Sequence, residues 1–364
     1  MNKKIALGLF VLAFIAVFSN AQTPALKSDW DLLRQIVLVP GISSQEVKVM
    51  DWIQSQLPKG VKPQRDAKND IWFTVGEGHP YILFVAHADE LGMTVDKVTP
   101  QGTVVLKGKG GFLAQACEAR PFMIHTAKGT IAGVNLPRPE YFAQNPPPFN
   151  PQAYELYIGA NSDAEARALG VAEGQQVIFK KRIVDLAPDI LATRAVDDRA
   201  GCASLLAAAL ETDWTKVKGK TITCAWSVEE EIGLNGAAAI SKVLKPDYVF
   251  AIDTFVSSDS PLENKRFADA VLGKGAVLRS LDASNLTPKT EIRKVLELAA
   301  ARGIPVQVRN SRGGNDGSVF VAGGAVDIPL SWPGTYAHSF IEKIYRSDLE
   351  ALTKLLKAII EEWE

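Results

Sequence analysis

Cysteine and histidine are both scarce in this chain, whose 364 residues include three cysteines and four histidines. The cysteines, Cys117, Cys202 and Cys224, are odd in number and far apart, which is not the pattern of a disulfide-stabilised fold. We expect them to be small core residues, with one disulfide bond as the alternative. The sequence also lacks a G-x-S-x-G motif and a cysteine–histidine arrangement, so it offers no nucleophile for a covalent mechanism.

Basic clusters are missing as well. The 40 lysine and arginine residues are scattered along the chain and nearly balance the 41 acidic residues. None of the basic residues forms a cluster with interleaved aromatic residues, which is the usual pattern of a nucleic-acid-binding surface. We therefore expect no nucleic-acid partner.

Only one apolar run is long, the segment IALGLFVLAFIAVF at residues 5–18, which follows Lys3 and Lys4. The run is too short to span a bilayer comfortably, and the small and polar residues that follow it up to Ala21 are typical of a secretory signal. We predict a signal peptide at residues 1–21 and export of the protein, periplasmic or secreted, with a membrane anchor as the alternative. Cleavage would remove two of the 40 basic residues and leave 38 against 41 acidic residues, with no stable membrane span in the rest.

Short apolar strands alternate with amphipathic helices over most of the remaining chain. The apolar runs are YILFVAHADE, TITCAWSV, DYVFAIDTF and AVDIPLSW, and the helical patterns are RAGCASLLAAALE, KTEIRKVLELAAARG and SDLEALTKLLKAIIEEW. This alternation predicts an α/β domain, with a mostly parallel sheet flanked by helices, built from residues 22–91 and 189–364. Near its start, Ser43 with Glu46 three residues later predicts a capping box at the beginning of a helix.

Residues 92–188 differ in character from the segments on both sides. Short β-branched runs alternate there with glycine-containing turns, which predicts an inserted small β-barrel-like domain. Within it, the stretch LPRPEYFAQNPPPFNPQAYEL contains six prolines. Proline removes a backbone donor and fixes φ, so we expect this stretch to be an exposed loop.

Acidic and histidine residues stand at the ends of the predicted strands. His87 and Asp89 follow the first apolar strand, and three adjacent glutamates, Glu229, Glu230 and Glu231, follow the second. Other such positions are Asp197, Asp253 and His338. Because open α/β sheets bind ligands at the carboxyl ends of their strands, we expect these groups to converge. Each residue alone has a simpler explanation, such as a helix cap or a solvated surface, but their shared position favours a common site.

A pair of divalent metal ions would explain three adjacent glutamates. Two ions a few ångströms apart need a bridging carboxylate, further histidine and carboxylate ligands, and a free carboxylate that takes a proton from water. Adjacent glutamates can divide these roles, since one binds a metal ion while its neighbour faces the water. The cations would also remove the repulsion between the glutamates.

The ordered motifs HADELG, AVDDRAG, EEIGLNGA, AIDT, GGNDG and YAHS resemble those of the M42 family of metallo-aminopeptidases, which includes glutamyl aminopeptidases and tetrahedral aminopeptidases. The resemblance covers nearly all of the chain after residue 21. The metal ligands that it implies are His87, Asp197, Glu231, Asp253 and His338. It implies that His87 and Asp253 complete one metal site and that Glu231 and His338 complete the other. Asp197 is the implied bridge.

The same resemblance implies further roles. Glu230 would be the general base, Asp89 would orient His87, and the Asp197–Asp198 peptide bond would be cis. The family also implies peptide substrates and an inserted domain for dimerisation, with homo-oligomers up to a hollow dodecamer. We expect two divalent ions, zinc first, with cobalt or manganese as alternatives, because histidine and carboxylate ligands suit all three. The chain departs from the family pattern at Thr335, where arginine is frequent, and at Asn315, where threonine is usual in GGTDA.

Three alternatives to an aminopeptidase remain. A glycoside hydrolase also uses paired carboxylates, but its chemistry needs neither histidine nor metal. A related two-metal carboxypeptidase or deacylase would use the same ligands. A metal-loaded binding protein without catalysis would have no need of Glu230 as a free carboxylate beside its metals.

Overall fold

The computed structural model describes residues 27–149, 154–260 and 262–364, so the predicted signal peptide at residues 1–21 lies outside the described residues. The helices are α1 (Asp29–Ile36), α2 (Val47–Gln56), α3 (Ala114–Cys117), α4 (Asp163–Ala168), α5 (Val196–Glu211), α6 (Asn235–Val243), α7 (Lys289–Ala301), α8 (Ser318–Val321) and α9 (Arg346–Glu362). Short 3₁₀ helices cover Pro139–Phe142 and Trp214–Lys216.

The strands form one large sheet and one barrel. Those of the sheet are β1 (Gln64–Arg65), β2 (Ile71–Gly76), β3 (Tyr81–His87), β10 (Val184–Ala187), β11 (Ile190–Thr193), β12 (Thr221–Ser227), β13 (Tyr248–Val256), β14 (Ala276–Leu281), β15 (Val306–Asn310), β16 (Val326–Asp327), β17 (Leu330–Thr335) and β18 (Glu342–Tyr345). Those of the barrel are β4 (Gly92–Val98), β5 (Val104–Lys109), β6 (Pro121–Thr126), β7 (Gly129–Asn135), β8 (Tyr154–Tyr157) and β9 (Gln176–Phe179).

The large sheet is mixed, with a parallel centre. Its main path is β1-β2-β12-β3-β13-β17-β18-β11-β10, and the pairs from β12 through β3 and β13 to β17 are parallel. The outer pairs on both sides are antiparallel. The prediction of a mostly parallel sheet therefore holds only for the centre, because the strands on both sides of it run antiparallel to their neighbours.

Helices cover both faces of this sheet, as an α/β fold requires. In β3, Ile82, Phe84 and Ala86 belong to the core that includes buried residues of α1, α5 and α9. The alternate residues Leu83 and Val85 pack with residues of α6 and α8 on the other face. Burial on both faces explains why β3 reads as a continuous apolar run.

The insert forms a closed barrel with the strand order β4-β5-β8-β7-β6-β9 and a core of its own. The barrel strands run from Gly92 to Phe179, whereas residues 184–187, which the sequence pattern assigned to the insert, form β10 of the large sheet. In the proline-rich segment, Arg138 Nη1 donates to the carbonyl of Pro148 over 3.1 Å, and Arg138 Nε lies 3.1 Å from Glu118 Oε1. Arg138 and Glu118 thus fix the base of this loop.

The three cysteines are free and buried, as expected of core residues. The predicted capping box at Ser43 and Glu46 is wrong. Helix α2 begins at Val47, its N-cap residue is Glu46, and Glu46 makes no side-chain capping bond. Both polar side chains instead bond to residues at the edge of the large sheet.

Asn315 is fully buried in the turn before α8. Its Nδ2 donates to Asp282 Oδ2 over 2.8 Å, and its Oδ1 accepts the N–H of Gly317 over 2.7 Å. A Cβ atom on Gly317 would overlap Oδ1 of Asp327 and lie 2.8 Å from Oδ1 of Asn315. This turn therefore requires glycine at position 317 for steric reasons.

We expect Gly317→Ala to lower the free energy of unfolding by about 1–3 kcal/mol, the usual cost of inserting a methyl group into a filled space. Gly314→Ala is the matched control, because the nearest atom to a Cβ there is Ser284 Oγ at 3.6 Å. Chemical denaturation of both variants measures the difference. Equal stability of the two variants would contradict the steric role of Gly317.

Candidate metal centre

The predicted site residues converge at the carboxyl edge of the parallel strands. His87 is the last residue of β3, and Asp253 lies near the end of β13. Glu230 and Glu231 follow β12 in the turn that leads to α6, and His338 follows β17. The parallel strands β12, β3, β13 and β17 are neighbours, so their ends meet at one edge.

Asp197 comes to this edge from the first turn of α5. Its φ and ψ are −76° and 113°, outside the helical region, and the Asp197–Asp198 peptide bond is cis, as the resemblance implied. The residue before α5 is Ala195, which has a positive φ of 61°. The backbone at the start of α5 is therefore irregular where it presents Asp197 to the site.

Asp197 lies between two groups of metal-binding side chains. One group consists of His87, Asp197 and Asp253, and the other of Asp197, Glu231 and His338. Within each group, one ligand atom of every residue lies within 4.8 Å of the others. The two carboxylate oxygens of Asp197 face different histidines. Oδ1 lies 3.4 Å from His87 Nε2, and Oδ2 lies 3.7 Å from His338 Nε2.

The remaining ligand distances agree with this division. His87 Nε2 is 3.9 Å from Asp253 Oδ1, and His338 Nε2 is 3.5 Å from Glu231 Oε2. Glu230 stands beside the first group, with its Oε2 3.8 Å from His87 Nε2. Glu230 and Glu231 therefore lie beside different histidines.

Asp89 is fully buried and accepts hydrogen bonds from both sides of the site. The Ser43 hydroxyl donates to its Oδ2 over 2.7 Å. The backbone N–H of Glu230 donates to Oδ1 over 3.0 Å, and that of Glu231 to Oδ2 over 3.3 Å. Oδ1 also lies 3.4 Å from Nδ1 of His87. Asp89 thus orients the imidazole and the glutamate turn together.

Hydrogen bonding keeps Asp89 ionised in spite of its burial. Burial acts to raise the pKa of Asp89, but the contact with His87 and the bonds from Ser43 and the Glu230 backbone outweigh it, so this pKa is lowered. An ionised carboxylate is an acceptor only, which suits the donors around it.

Glu229 differs from its two neighbours. It has a positive φ of 56°, and it belongs to neither metal-binding group. Its Oε2 accepts a 2.8 Å bond from Lys68 Nζ. Glu46 accepts the Glu229 backbone N–H over 3.2 Å and that of Ser44 over 2.7 Å. Lys68, Ser44 and Glu46 together fix the start of the glutamate turn.

The charges at the site fit divalent cations. Burial first, and then the charges of neighbouring carboxylates, raise the pKa values of Glu230 and Glu231 well above their usual range. Burial acts to lower the pKa of His87, but Glu230, Asp197 and Asp89 raise it well above its usual value. These shifts express an excess of buried negative charge, and the converging imidazole and carboxylate donors are the ligands that such cations take.

Arg279 is a site residue that the sequence analysis missed. It is buried, and its Nη2 lies 3.2 Å from Asp253 Oδ2. Its other donors bond to the Ser331 hydroxyl and to the carbonyls of Gly314 and Thr254. The available signal was an arginine inside the apolar strand sequence AVLRSL, since a buried charge requires a partner.

Comparison with known proteins agrees with this geometry. The sequence model of one family, M42 glutamyl aminopeptidase, matches residues 70–355. The glutamyl aminopeptidase of Lactococcus lactis is 28% identical over 347 residues, which are 91% of this chain and 95% of that protein. The lysyl aminopeptidase of Pyrococcus furiosus is 27% identical over 345 residues, which are 92% of this chain and 97% of that protein.

A solved structure shows the same fold. The TET1 peptidase of Pyrococcus horikoshii, described as assembling into a tetrahedron or a large octahedral shell, is 32% identical. It covers 92% of this chain and 100% of its own, with a TM-score of 0.84.

The prediction of export is wrong. Export finds no support among the aminopeptidases that this chain resembles. The apolar segment on which the prediction depended lies outside the described residues. Of the helices that the structure describes, none is both long and apolar enough to cross a bilayer.

Asp70 offers a test of the electrostatics behind the site. It is fully buried, and its Oδ1 accepts the N–H of Val228, at the start of the glutamate turn, over 2.8 Å. Burial first, and then the charge of Asp66, raise the pKa of Asp70 to about 9. The folded protein thus retains a proton that the unfolded chain loses near pH 4, so stability falls as the pH rises between these values.

We expect Asp70→Asn to remove this fall in stability at higher pH, because the amide oxygen still accepts the Val228 bond and carries no charge. The stability of the variant relative to the parent should therefore increase from pH 5 to pH 9. Urea denaturation at several pH values measures it. Parallel pH profiles of the two proteins would show that Asp70 is ionised in the folded state.

Proposed function

The chain belongs to the M42 family of glutamyl aminopeptidases and is a metal-dependent aminopeptidase, and we propose that it removes amino-terminal residues from peptides with two divalent cations and Glu230 as the general base. The observation that carries this proposal is the orientation of Asp197. Its two oxygens face His87 and His338 on opposite sides.

In this proposal, each ligand group holds one cation. His87 and Asp253 would complete one site, Glu231 and His338 the other, and Asp197 would bridge them. When bound, two such cations polarise the carbonyl of the scissile peptide bond and lower the pKa of water. Zinc is the first candidate, with cobalt and manganese as alternatives, because the ligands suit all three.

Glu230 would transfer the proton. Its carboxylate lies 3.8 Å from His87 Nε2, and as a base it would accept a proton from the attacking water while the new C–O bond forms. The same carboxyl group would then give that proton to the leaving nitrogen as the C–N bond breaks. The backbone bond from Glu230 to Asp89 keeps this carboxylate at a fixed place in the turn.

Asp89 would set the tautomer of His87. Because Nδ1 faces the ionised carboxylate of Asp89, it is the nitrogen that carries hydrogen, which leaves the lone pair of Nε2 for a metal ion. Arg279 would act similarly on Asp253, since it occupies Oδ2 and leaves Oδ1 towards His87.

The three glutamates give a direct test. Glu230→Gln should keep both metal ions and lower turnover by roughly 10²- to 10⁴-fold, because it removes only the proton acceptor. Glu231→Gln should lower metal content together with activity, since it removes an anionic ligand. Glu229→Gln is the matched control, which loses the ion pair with Lys68 and should retain metal and most activity. Elemental analysis and peptide hydrolysis measure both properties.

Two outcomes would contradict the assignments. An inactive, metal-replete Glu229→Gln with an active Glu230→Gln would move the base by one position. Full activity and metal content in all three variants would exclude the two-metal mechanism. Glycoside hydrolysis by the parent enzyme that persists in EDTA would instead favour a metal-free glycoside hydrolase.

We also propose that the protein is a homo-oligomer, built from dimers and reaching a dodecamer, with the barrel as a contact surface. The assembly of the related TET1 peptidase supports this proposal. The proline-rich loop of the barrel, whose base is fixed by Arg138 and Glu118, exposes Phe142 next to Tyr141. The relative exposure of Phe142 is 77%. Apolar aromatic side chains at such a position are typical of protein contacts.

We expect the protein at micromolar concentration to have the mass of a dimer or a larger assembly in light scattering. Phe142→Asp should shift the mass towards smaller species, because it places a charge in the contact. Val243→Asp is the matched control, since Val243 is similarly exposed but lies at the end of α6, outside the barrel. A monomeric parent protein would contradict the proposal.

A further inference from the structure

A buried carboxylate outside the ligand groups contacts the backbone that presents Asp197. Glu342, the first residue of β18, is 2% exposed. Its Oε2 accepts the N–H of Val196 over 2.6 Å and the N–H of Asp197 over 2.9 Å. Glu342 therefore bonds directly to the backbone of Asp197 and to that of Val196, the residue before it.

Arg194 fixes the other oxygen of this carboxylate. Its Nη1 donates to Glu342 Oε1 over 2.6 Å, and its Nη2 donates to the carbonyl of Leu91 over 2.8 Å. The guanidinium of Arg194 also lies 5.9 Å from the ring centre of Phe112 and 5.6 Å from that of Phe179. Both rings belong to the inserted barrel domain, so the barrel contacts Asp197 through Arg194 and Glu342.

The backbone around Asp197 needs such a partner. The first N–H groups of a helix have no acceptor within the helix, and α5 starts with irregular dihedral angles at Asp197 and Asp198. Glu342 supplies an acceptor for two of these groups. A carboxylate that faces two histidines at once tolerates little rotation, because any turn moves one oxygen away from its site.

We propose that Glu342 is the positioning residue of the bridging carboxylate Asp197, and that Arg194, fixed by the aromatic rings of the barrel, keeps Glu342 in place. This inference rests on the proposed bridging role of Asp197. Glu342 touches neither the ligand atoms nor the substrate in this arrangement, and it acts through the backbone. The inserted domain thereby determines the geometry of the metal centre in addition to any role in assembly.

The simpler role of Glu342 is that of a helix cap that only stabilises the fold. A cap alone would affect the stability of the metal-free protein and leave its intrinsic affinity for metal unchanged. A positioning residue would also change the affinity and the ligand field, since the bridging oxygens would move. Cobalt reports both, because its visible absorption depends on its ligands.

The experiment titrates Co²⁺ into chelator-treated full-length protein and compares Glu342→Gln with the parent. Whichever way the glutamine amide is turned, its NH₂ group faces either Arg194 or the two backbone donors. We expect roughly 10- to 100-fold weaker binding at one or both sites, the usual effect of removing a partner of a metal ligand, and an altered spectrum.

Asp348→Asn is the matched control. Asp348 is also fully buried and accepts two backbone bonds, from Gly273 and Gly275, each over 2.7 Å, at the start of α9. The Asp348→Asn variant should lose stability in the same way as Glu342→Gln but bind Co²⁺ with the affinity and spectrum of the parent. Equal Co²⁺ affinity and equal spectra for Glu342→Gln and the parent would overturn the inference.

The barrel provides a second variant that does not depend on the folding of Glu342→Gln. Phe179→Leu removes a ring beside Arg194 and should weaken Co²⁺ binding several-fold. Phe149→Leu, in the same barrel core but beside Arg138, should not change it. Equal binding by the two leucine variants would overturn the proposed link from the barrel.

Asp197→Asn separates this inference from the proposed function. If this variant still binds two ions as tightly as the parent, Asp197 is not the bridge and the proposed two-metal arrangement fails. If Asp197→Asn loses binding while Glu342→Gln does not, the proposed arrangement stands and only the positioning role is overturned.

Discussion

The concentration of buried negative charge at one edge of the sheet is the constraint on which the rest of the site depends. Asp89, Asp197, Glu230, Glu231 and Asp253 meet there with two histidines, and the five carboxylate side chains are buried or mostly buried. Carboxylates in such a place need positive partners or hydrogen bonds from fixed donors. Their surroundings supply donors of both kinds, Arg279 for Asp253 and backbone N–H groups for Asp89, and leave the Asp197 oxygens that face the two histidines for the proposed cations.

This constraint also explains why three adjacent glutamates can coexist. Glu229 has a positive φ and bonds to Lys68, and the two glutamates that follow have their backbone N–H groups bound to Asp89. The turn therefore separates the three side chains before any metal ion is present. One aspartate fixes the proposed base, Glu230, and a proposed ligand, Glu231, relative to His87, so a displacement of Asp89 would affect all three at once.

The local sequence pattern was sufficient to predict a metal-dependent aminopeptidase but not the long-range contacts. Apolar strands followed by histidine or carboxylate residues indicated where the site lies, and the ordered motifs identified the family. The antiparallel edges of the sheet were not predictable, because strand pairing joins residues far apart in the chain. Ser43 and Glu46 matched a capping box at the local level, but buried partners at Asp89 and Glu229 took both side chains. Arg279 gave only the weak signal of an arginine inside an apolar strand and Glu342 gave none, so their burial in the fold is what identifies them.

The departure at Asn315 follows from its neighbours. In the family pattern GGTDA, threonine and alanine stand where this chain has Asn315 and Gly317. The amide of Asn315 occupies space beside Gly317 that a methyl group would fill, and Asp327 occupies the rest, so the larger side chain and the missing Cβ belong together. Asn315 donates to Asp282, which lies 3.7 Å from Arg279, the residue that orients Asp253. Asparagine in place of threonine at position 315 thus keeps a hydrogen-bond donor to Asp282. The position of Asp253 therefore does not depend on threonine at 315.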